Sequence, residues 1–394
     1  MKKPEAPLRA SPEASVTVIE VVDKDAESQH TQPRRRAWRL RGARSRWHGL
    51  PAFERRRWIW WAAILILTLS VLGTLSAITY LSLLTALIRH LTPPALNNGL
   101  HTLLSLYPLS PPPAADLWLP NFSKGVQPKR IHSHNDYARD IPLLRALGAG
   151  CTGVEADIWP INGTLLVGHS RKALFTNRTL RSLYLDPLAT MLGKQNELPR
   201  VGDEGPRGVF DEDPDETLVL LLDFKDAPEK AWPLVQSQLQ PFIDNNYLTR
   251  WNGSALLLAP LTIVLSGLAS RKLDFVAQSN GTAFLDAPLL DLPSGTWNAQ
   301  NSLYASARAK DVFGDIGPGG LTKIQVGKVE GVVREAKKRG LRARVWGTPR
   351  WPVGLRGRVW GQLAGAGVGM LNVDEVDVAG GGDWGCKVAG IRVC

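Results

Sequence analysis

Cysteine is scarce in this chain, with three residues (Cys151, Cys386 and Cys394) among 394. So few thiols exclude a fold built on disulfides and leave too little sulfur for a zinc–thiolate centre. Cys386 and Cys394 lie close together near the C-terminus and can pair in an oxidising compartment, whereas Cys151 sits in an apolar strand approach and reads as a buried free thiol. Histidine is nearly as rare. Of seven, only His132, His134 and His169 follow residue 116, and they fall within 38 positions of one another. Charge is missing altogether from residues 58–88, a run of 31. That run has only scattered Thr and Ser, which excludes a half-buried core helix with one polar face. It is also too long for the roughly 7–15 apolar residues of a secretory leader, and no small-x-small cleavage pattern follows it. Acids are almost absent from residues 34–57, where ten arginines (34, 35, 36, 39, 41, 44, 46, 55, 56 and 57) meet one acid, Glu54.

The net charge of +11 is thus concentrated beside an apolar span. A basic run could signal nucleic acid, but this position favours orientation at a membrane, and no nucleic-acid partner is expected. About 20 residues cross a bilayer, and Trp58, Trp60 and Trp61 at one end with Tyr80 near the other are placed as interfacial aromatics are. The reading is a single-pass, type II anchor. The arginines keep the N-terminus cytosolic and put residues 90–394 in the secretory lumen or outside the cell. Five N-x-Ser/Thr triplets, beginning at Asn121, Asn162, Asn177, Asn252 and Asn280, all follow the span and agree with that side. Residues 1–33 are polar and mixed in charge, which reads as a disordered cytosolic tail, and their acids argue against a mitochondrial transit peptide. The expected divisions are a basic tail (1–57), an anchor (58–88), a Pro-rich stalk (89–126), a barrel (127–378) and a C-terminal tail (379–394).

From about residue 127 a strand–helix rhythm begins. Candidate strands are 129–134, 152–158, 217–224, 261–266, 274–278, 302–307, 342–347 and 368–373, eight in about 250 residues. Helical patterns cover 139–147, 180–192, 228–240 and 323–339; in the last, Ile324, Val326, Val329, Val332 and Val333 share a side and Gly340 supplies the stop. Count and length predict a (β/α)8 TIM barrel preceded by one transmembrane helix, with a doubly wound open sheet as the alternative. Residues 194–216, acidic and rich in Pro and Gly, read as a surface insertion.

The chemistry gathers at the ends of these strands. Residues i and i+2 of a strand share a face, so His132 pairs with His134, Glu155 with Asp157, and Asp223 with Lys225. His169 follows Leu165-Leu-Val167 and an Asn162-Gly163 turn, a hairpin able to swing it back over a barrel mouth. Glu155, Asp157 and Asp223 suit a hard cation, Mg²⁺ or Ca²⁺, better than zinc. Two imidazoles beside such a cation are what phosphodiester cleavage needs, one to take a proton and one to give it, with Lys225 neutralising phosphate charge. A glycosidase using Glu155 and Asp157 fits less well, because carboxylates two apart on one strand do not naturally flank a sugar bond from both sides.

The stretches His132-Ser-His-Asn-Asp-Tyr137, Gly153-Val-Glu-Ala-Asp-Ile-Trp159, Val167-Gly-His169, Asp286-Ala-Pro-Leu289, Trp346-Gly-Thr-Pro349 and Leu371-Asn-Val-Asp374 resemble the fungal altered inheritance of mitochondria protein 6 family, within the phospholipase C-like phosphodiesterases. That superfamily includes glycerophosphodiesterases and spider-venom sphingomyelinase D. The resemblance covers about residues 127–378. It implies that His132 and His169 are the catalytic pair, that Glu155, Asp157 and Asp223 bind Mg²⁺ or Ca²⁺, and that Lys225 contacts phosphate. It also implies that Trp346 lines the mouth; His134, an extra imidazole with either a catalytic or a structural role, and Asn372 are expected to contact substrate. Glycerophosphodiesterases carry His-Arg-Gly where this chain has His132-Ser-His134, and Asp where it has Ser170, so their phosphate-binding arginine is missing at that position. The expected activity is hydrolysis, or cyclisation, of a lipid-derived or glycerol phosphodiester, with a lipid head group as substrate. The alternative is an inactive, membrane-anchored barrel acting as a binding or scaffold protein.

Overall fold

In a computed structural model of the protein, residues 51–91, 97–107, 118–197, 205–382, 387–388 and 391–392 are described. The basic run before residue 51, the stalk segments 92–96 and 108–117, part of the 194–216 insertion, and Cys386 and Cys394 lie outside them.

The charge-free run lies within α1 (Ala52–Leu91), a 40-residue helix that contains an 18-residue stretch with a mean hydropathy of 2.1. At 1.5 Å per residue, about 20 residues already span a hydrocarbon core, so α1 is long and apolar enough to cross a membrane. Three of its hydroxyls are satisfied within the helix: Thr68, Thr74 and Thr85 each donate to the carbonyl four residues earlier, at 2.7, 2.9 and 2.7 Å.

The remainder is built on eight parallel strands: β1 (Lys129–Ser133), β2 (Cys151–Ile161), β4 (Leu218–Phe224), β5 (Leu261–Gly267), β6 (Ala283–Pro288), β7 (Ser302–Arg308), β8 (Arg342–Trp346) and β9 (Met370–Val373). Neighbours pair in chain order, and β9 and β2 both pair with β1, so the sheet closes on itself. This is the TIM barrel the rhythm predicted. β3 (Thr164–Val167) is added antiparallel to the end of β2 through the turn at Asn162 (φ 49°) and Gly163 (φ 76°). The helices are α2 (Gly99–Leu106), α3 (Leu144–Gly148), α4 (Asp186–Gln195), α5 (Pro228–Asp244), α6 (Leu273–Gln278), α7 (Ala309–Phe313), α8 (Lys323–Lys338), α9 (Val353–Gly365) and α10 (Val376–Gly381). Thr322 and Gln325 close a capping box at the start of α8, and Gly340 (φ 73°) follows its end.

Alternation along each strand sorts the side chains. Residues such as Leu218, Leu220, Leu222, Ile263 and Leu285 face outward into a continuous core under the helices. Val219, Leu221, Val264, Phe284, Tyr304 and Met370 fill the barrel interior.

One strand lies elsewhere than expected. Residues 274–278 belong to α6, and the fifth parallel strand is β6, which starts at Ala283. The run Phe275-Val-Ala277 is too short to distinguish a period of 2 from one of 3.6. The described part of the expected stalk does not stand clear of the barrel: Leu100, Leu103, Phe122 and Val126 are buried in the barrel's outer core. The insertion is anchored too, with Phe210 buried and Asp211 accepting from the Ser123 amide at 3.0 Å.

Candidate active site

The C-terminal mouth of the barrel opens into a cavity of about 690 Å³. Its floor carries an acidic cluster. Glu155 and Asp157 come from the inward face of β2 and Asp223 from that of β4, with one carboxylate oxygen of each lying within 4.8 Å of the others. The register brings them together, because Asp157 pairs directly with Asp223. Lys225, just past β4, places Nζ 3.0 Å from Asp157 Oδ2 and 2.9 Å from Asp223 Oδ2. Even so, the buried oxygens Glu155 Oε2, Asp157 Oδ1 and Asp223 Oδ1 have no hydrogen-bond donor among the described residues. Burial pushes Asp157 up to about 6, against Lys225 and with the help of the Glu155 and Asp223 charges. Burial likewise raises Asp223, with Lys225 opposing. Three all-oxygen ligands with orphaned buried lone pairs fit Mg²⁺ or Ca²⁺, and the cluster holds too little nitrogen for a zinc site.

The three histidines differ sharply. His169 sits just beyond β3, with its side chain 72 % exposed and Nδ1 3.2 Å from the Tyr137 hydroxyl and 3.5 Å from Asp157 Oδ2. The Tyr137 hydroxyl donates to Asp157 Oδ2 at 2.7 Å, with Asn135 Oδ1 2.8 Å away. His132 is 0 % exposed. It lies inside the barrel, edge-on to Tyr304 with ring centroids 5.7 Å apart, and its Nε2 is 3.5 Å from Glu155 Oε2. Burial, with Arg344, pulls it down to about 4, so it is neutral at physiological pH. Burial would raise Glu155, but the His132 contact and Arg344 bring it down to about 2. His134 lines the cavity, 27 % exposed, and donates from Nδ1 to Asp374 Oδ1 at 2.8 Å. Burial lowers its affinity for a proton, but the Asp374 bond and the Glu155 and Asp374 charges outweigh that, and it rises above its ordinary value.

The opposite wall is held by a buried arginine. Arg344 Nη2 donates to Asp286 Oδ2 (2.9 Å), Nη1 to Asn372 Oδ1 (2.8 Å) and Nε to Ser306 Oγ (2.9 Å), and the guanidinium lies over the Tyr304 ring. Nη1 is also 3.8 Å from Glu155 Oε2. Asn372 therefore spends its carbonyl oxygen on Arg344 while still lining the cavity. Trp346, 38 % exposed, stands at the rim beside Arg308 and Arg350.

All nine residues singled out from the sequence lie in or directly below this mouth. Tyr137, Asp286, Arg344 and Asp374 were not assigned roles, although three of them stand in the motif stretches. Gly153 was also passed over. A Cβ there would come within 2.6 Å of His132 Nδ1 and 2.9 Å of the Tyr304 hydroxyl, so glycine is what makes room for the buried imidazole. Gly267 (φ 64°) does the same for Asp223, whose Oδ1 would collide with any Cβ there.

A family model described as an AIM6-like phosphodiesterase domain matches residues 120–286, which contain β1 to β5 and the start of β6, and with them the carboxylates, Lys225 and the three histidines. Among curated proteins, the altered inheritance of mitochondria protein 6 homolog of Arthroderma benhamiae is 38 % identical over 270 residues, covering 66 % of this chain and 85 % of that one. The protein of that name from Eremothecium gossypii is 40 % identical over 265 residues (63 % and 68 %), and that of Saccharomyces cerevisiae is 30 % identical over 288 (67 % and 73 %). With its barrel, its carboxylate cluster and this extent of similarity, the chain belongs to the altered inheritance of mitochondria protein 6 family and carries that family's phosphodiesterase-type domain.

Proposed function

We propose that the protein is a metal-dependent phosphodiesterase acting on a lipid-derived or glycerol phosphodiester. The observation that carries this reading is the Glu155–Asp157–Asp223 cluster, bridged by Lys225 at 2.9–3.0 Å and flanked by imidazoles at the mouth of a barrel. A Mg²⁺ or Ca²⁺ ion held by these carboxylates would neutralise charge on the non-bridging phosphate oxygens. Lys225 adds a fixed positive charge on the same side. His169, exposed and steered by Tyr137, is placed to protonate a leaving oxygen. A histidine of the β1 end takes the proton of the attacking water or internal hydroxyl, and the sequence motif assigns this to His132. Attack by an internal hydroxyl would give a cyclic phosphate, and attack by water a monoester.

A lipid head group is favoured because the same chain carries α1, whose charge-free residues 58–88 are exposed. On this proposal α1 is the anchor of a type II protein, and the barrel acts on the luminal or outer side. All five sequon asparagines are exposed, as glycan acceptors must be. Asn162 and Asn280 (φ 49° and 52°), each followed by glycine, also serve their turns. The test is turnover of a panel of lipid and glycerol phosphodiesters by the purified full chain, in EDTA and with Mg²⁺ or Ca²⁺ restored. Metal-dependent turnover is expected. A folded, metal-binding protein that cleaves none of them would favour the inactive scaffold.

A further inference from the structure

We infer that His134, held by Asp374, is the imidazole that meets the phosphate and takes the attacking proton, and that His132 is a positioning residue beneath Glu155. This rests on the phosphodiesterase reading and changes which residue performs its first proton transfer.

The two histidines at the β1 end lie at different depths in the barrel. His132 pairs in register with Gly153 of β2 and with Asn372 of β9. Glu155 stands two residues further along β2, about 6–7 Å nearer the mouth. His134 continues β1 by the same two residues, with its amide donating to Val373 O at 2.9 Å, and so comes level with Glu155. The exposures agree: His132 is sealed at 0 %, whereas His134 is open to the cavity at 27 %. Tyr304 and Gly153 enclose the His132 ring, and its Nε2 faces the Glu155 carboxylate. A substrate phosphate would have to displace Glu155 to reach it.

His134 has the arrangement a base requires. A carboxylate only accepts, so the 2.8 Å contact from Nδ1 to Asp374 fixes the proton on Nδ1 and leaves the Nε2 lone pair uncommitted. Asp374 is itself held, with Arg350 Nε 3.4 Å from its other oxygen and Arg139 donating to its backbone carbonyl at 2.7 Å. In the step, Nε2 of His134 removes the proton of the attacking water or hydroxyl, whose oxygen forms the new bond to phosphorus. The P–O bond to the leaving group breaks, its electron pair stays on the leaving oxygen, and His169 supplies that oxygen with a proton. Exchange with solvent returns both rings to their starting states.

The experiment compares His134→Gln, Asp374→Asn and His132→Gln in the full chain in detergent micelles. It reads kcat and its pH profile on a soluble diester, bis(4-nitrophenyl) phosphate, the affinity for Mg²⁺ alone, and the affinity of the Mg²⁺-loaded protein for inorganic phosphate. His134→Gln is expected to lose about 10²–10⁴-fold in kcat, to lose the acid limb of the profile, and to bind Mg²⁺ within about threefold of the parent. Asp374→Asn should lose less, and the double variant should be no worse than His134→Gln alone. His132→Gln should weaken Mg²⁺ binding, with a smaller kcat loss at saturating Mg²⁺ than His134→Gln. The inference is overturned if His134→Gln keeps kcat within threefold, or if folded, Mg²⁺-saturated His132→Gln is the slower of the two. If the parent cleaves no diester, the phosphodiesterase reading fails and phosphate binding decides. Loss of phosphate affinity in His134→Gln but not in His132→Gln supports His134 as the group facing the anion, and equal affinities overturn it.

Discussion

Asp157→Asn should make the metal-free protein more stable. Asp157 is fully buried, and burial, with the charges of Glu155 and Asp223, holds its carboxyl at about 6 despite Lys225 at 3.0 Å. Relative to the ordinary 3.8, and at about 1.4 kcal/mol per pH unit, ionising Asp157 costs the folded state about 3 kcal/mol at neutral pH. The sign follows from the raised value. The stabilising contribution of protonated Asp157 is complete below pH 3.8 and is lost as the pH rises through about 6. Asparagine keeps the volume and removes the charge. In EDTA at pH 7.5 the variant should exceed the parent by about 2–3 kcal/mol, with the gap closing as the pH falls to 4. His132 is present in both proteins, so its titration cancels in the difference. Saturating Mg²⁺ should reverse the order, because only the parent keeps the full ligand set. Denaturant midpoints followed by tryptophan fluorescence would measure this. A variant less stable than the parent in EDTA at pH 7.5 would refute the reasoning, since Asp157 would then be the stabilising half of an ion pair with Lys225.

Further outcomes are expected. Mg²⁺ affinity should fall about tenfold per pH unit below pH 6, because the cation must displace one proton from Asp157; calorimetry at pH 5, 6 and 7 would show this slope or its absence. Gly153→Ala should destabilise by about 1–3 kcal/mol, since its Cβ meets the buried His132 ring at 2.6 Å and the Tyr304 hydroxyl at 2.9 Å, and a variant as stable as the parent would mean that His132 has room to move. Arg344→Leu leaves Asp286 buried without its 2.9 Å partner and should cost about 3–5 kcal/mol in a melt, with part of the loss recovered by adding Asp286→Asn. The full chain should stay with vesicles through alkaline carbonate extraction, as a helix with a 31-residue charge-free run requires, and release into the supernatant would contradict anchoring.

Much of the molecule was legible in the sequence because two signals were strong. An uninterrupted apolar run such as 58–88 has few foldings open to it, and it became α1. The ordered placement of acids and histidines at strand ends located the mouth, because a parallel barrel presents only those ends to a common cavity. The Asn162-Gly163 turn announced the hairpin that returns His169 to the mouth. What was missed follows from the limits of local patterns. Phe275-Val-Ala277 lacked the length to show its period, while β6 hid an inward acid, Asp286, among apolar neighbours. Arg342-Ala-Arg-Val-Trp346 looks like a solvated face. In a barrel whose outer side is covered by helices, the alternate charged face points inward, and that would have identified Arg344. The depths of His132 and His134 were beyond reach, because register with β2 is a property of pairing and not of β1 itself.

Everything proposed for this site depends on metal-dependent phosphodiester cleavage at the β2–β4 carboxylates. The most direct measurement is the ³¹P spectrum of a lipid phosphodiester incubated with the full chain and Mg²⁺, beside the same mixture in EDTA and with Asp223→Asn. A new phosphorus resonance, monoester or cyclic, that appears only with the parent and Mg²⁺ is the predicted result. An unchanged spectrum from a folded, Mg²⁺-bound parent, or the same product from Asp223→Asn, would contradict it.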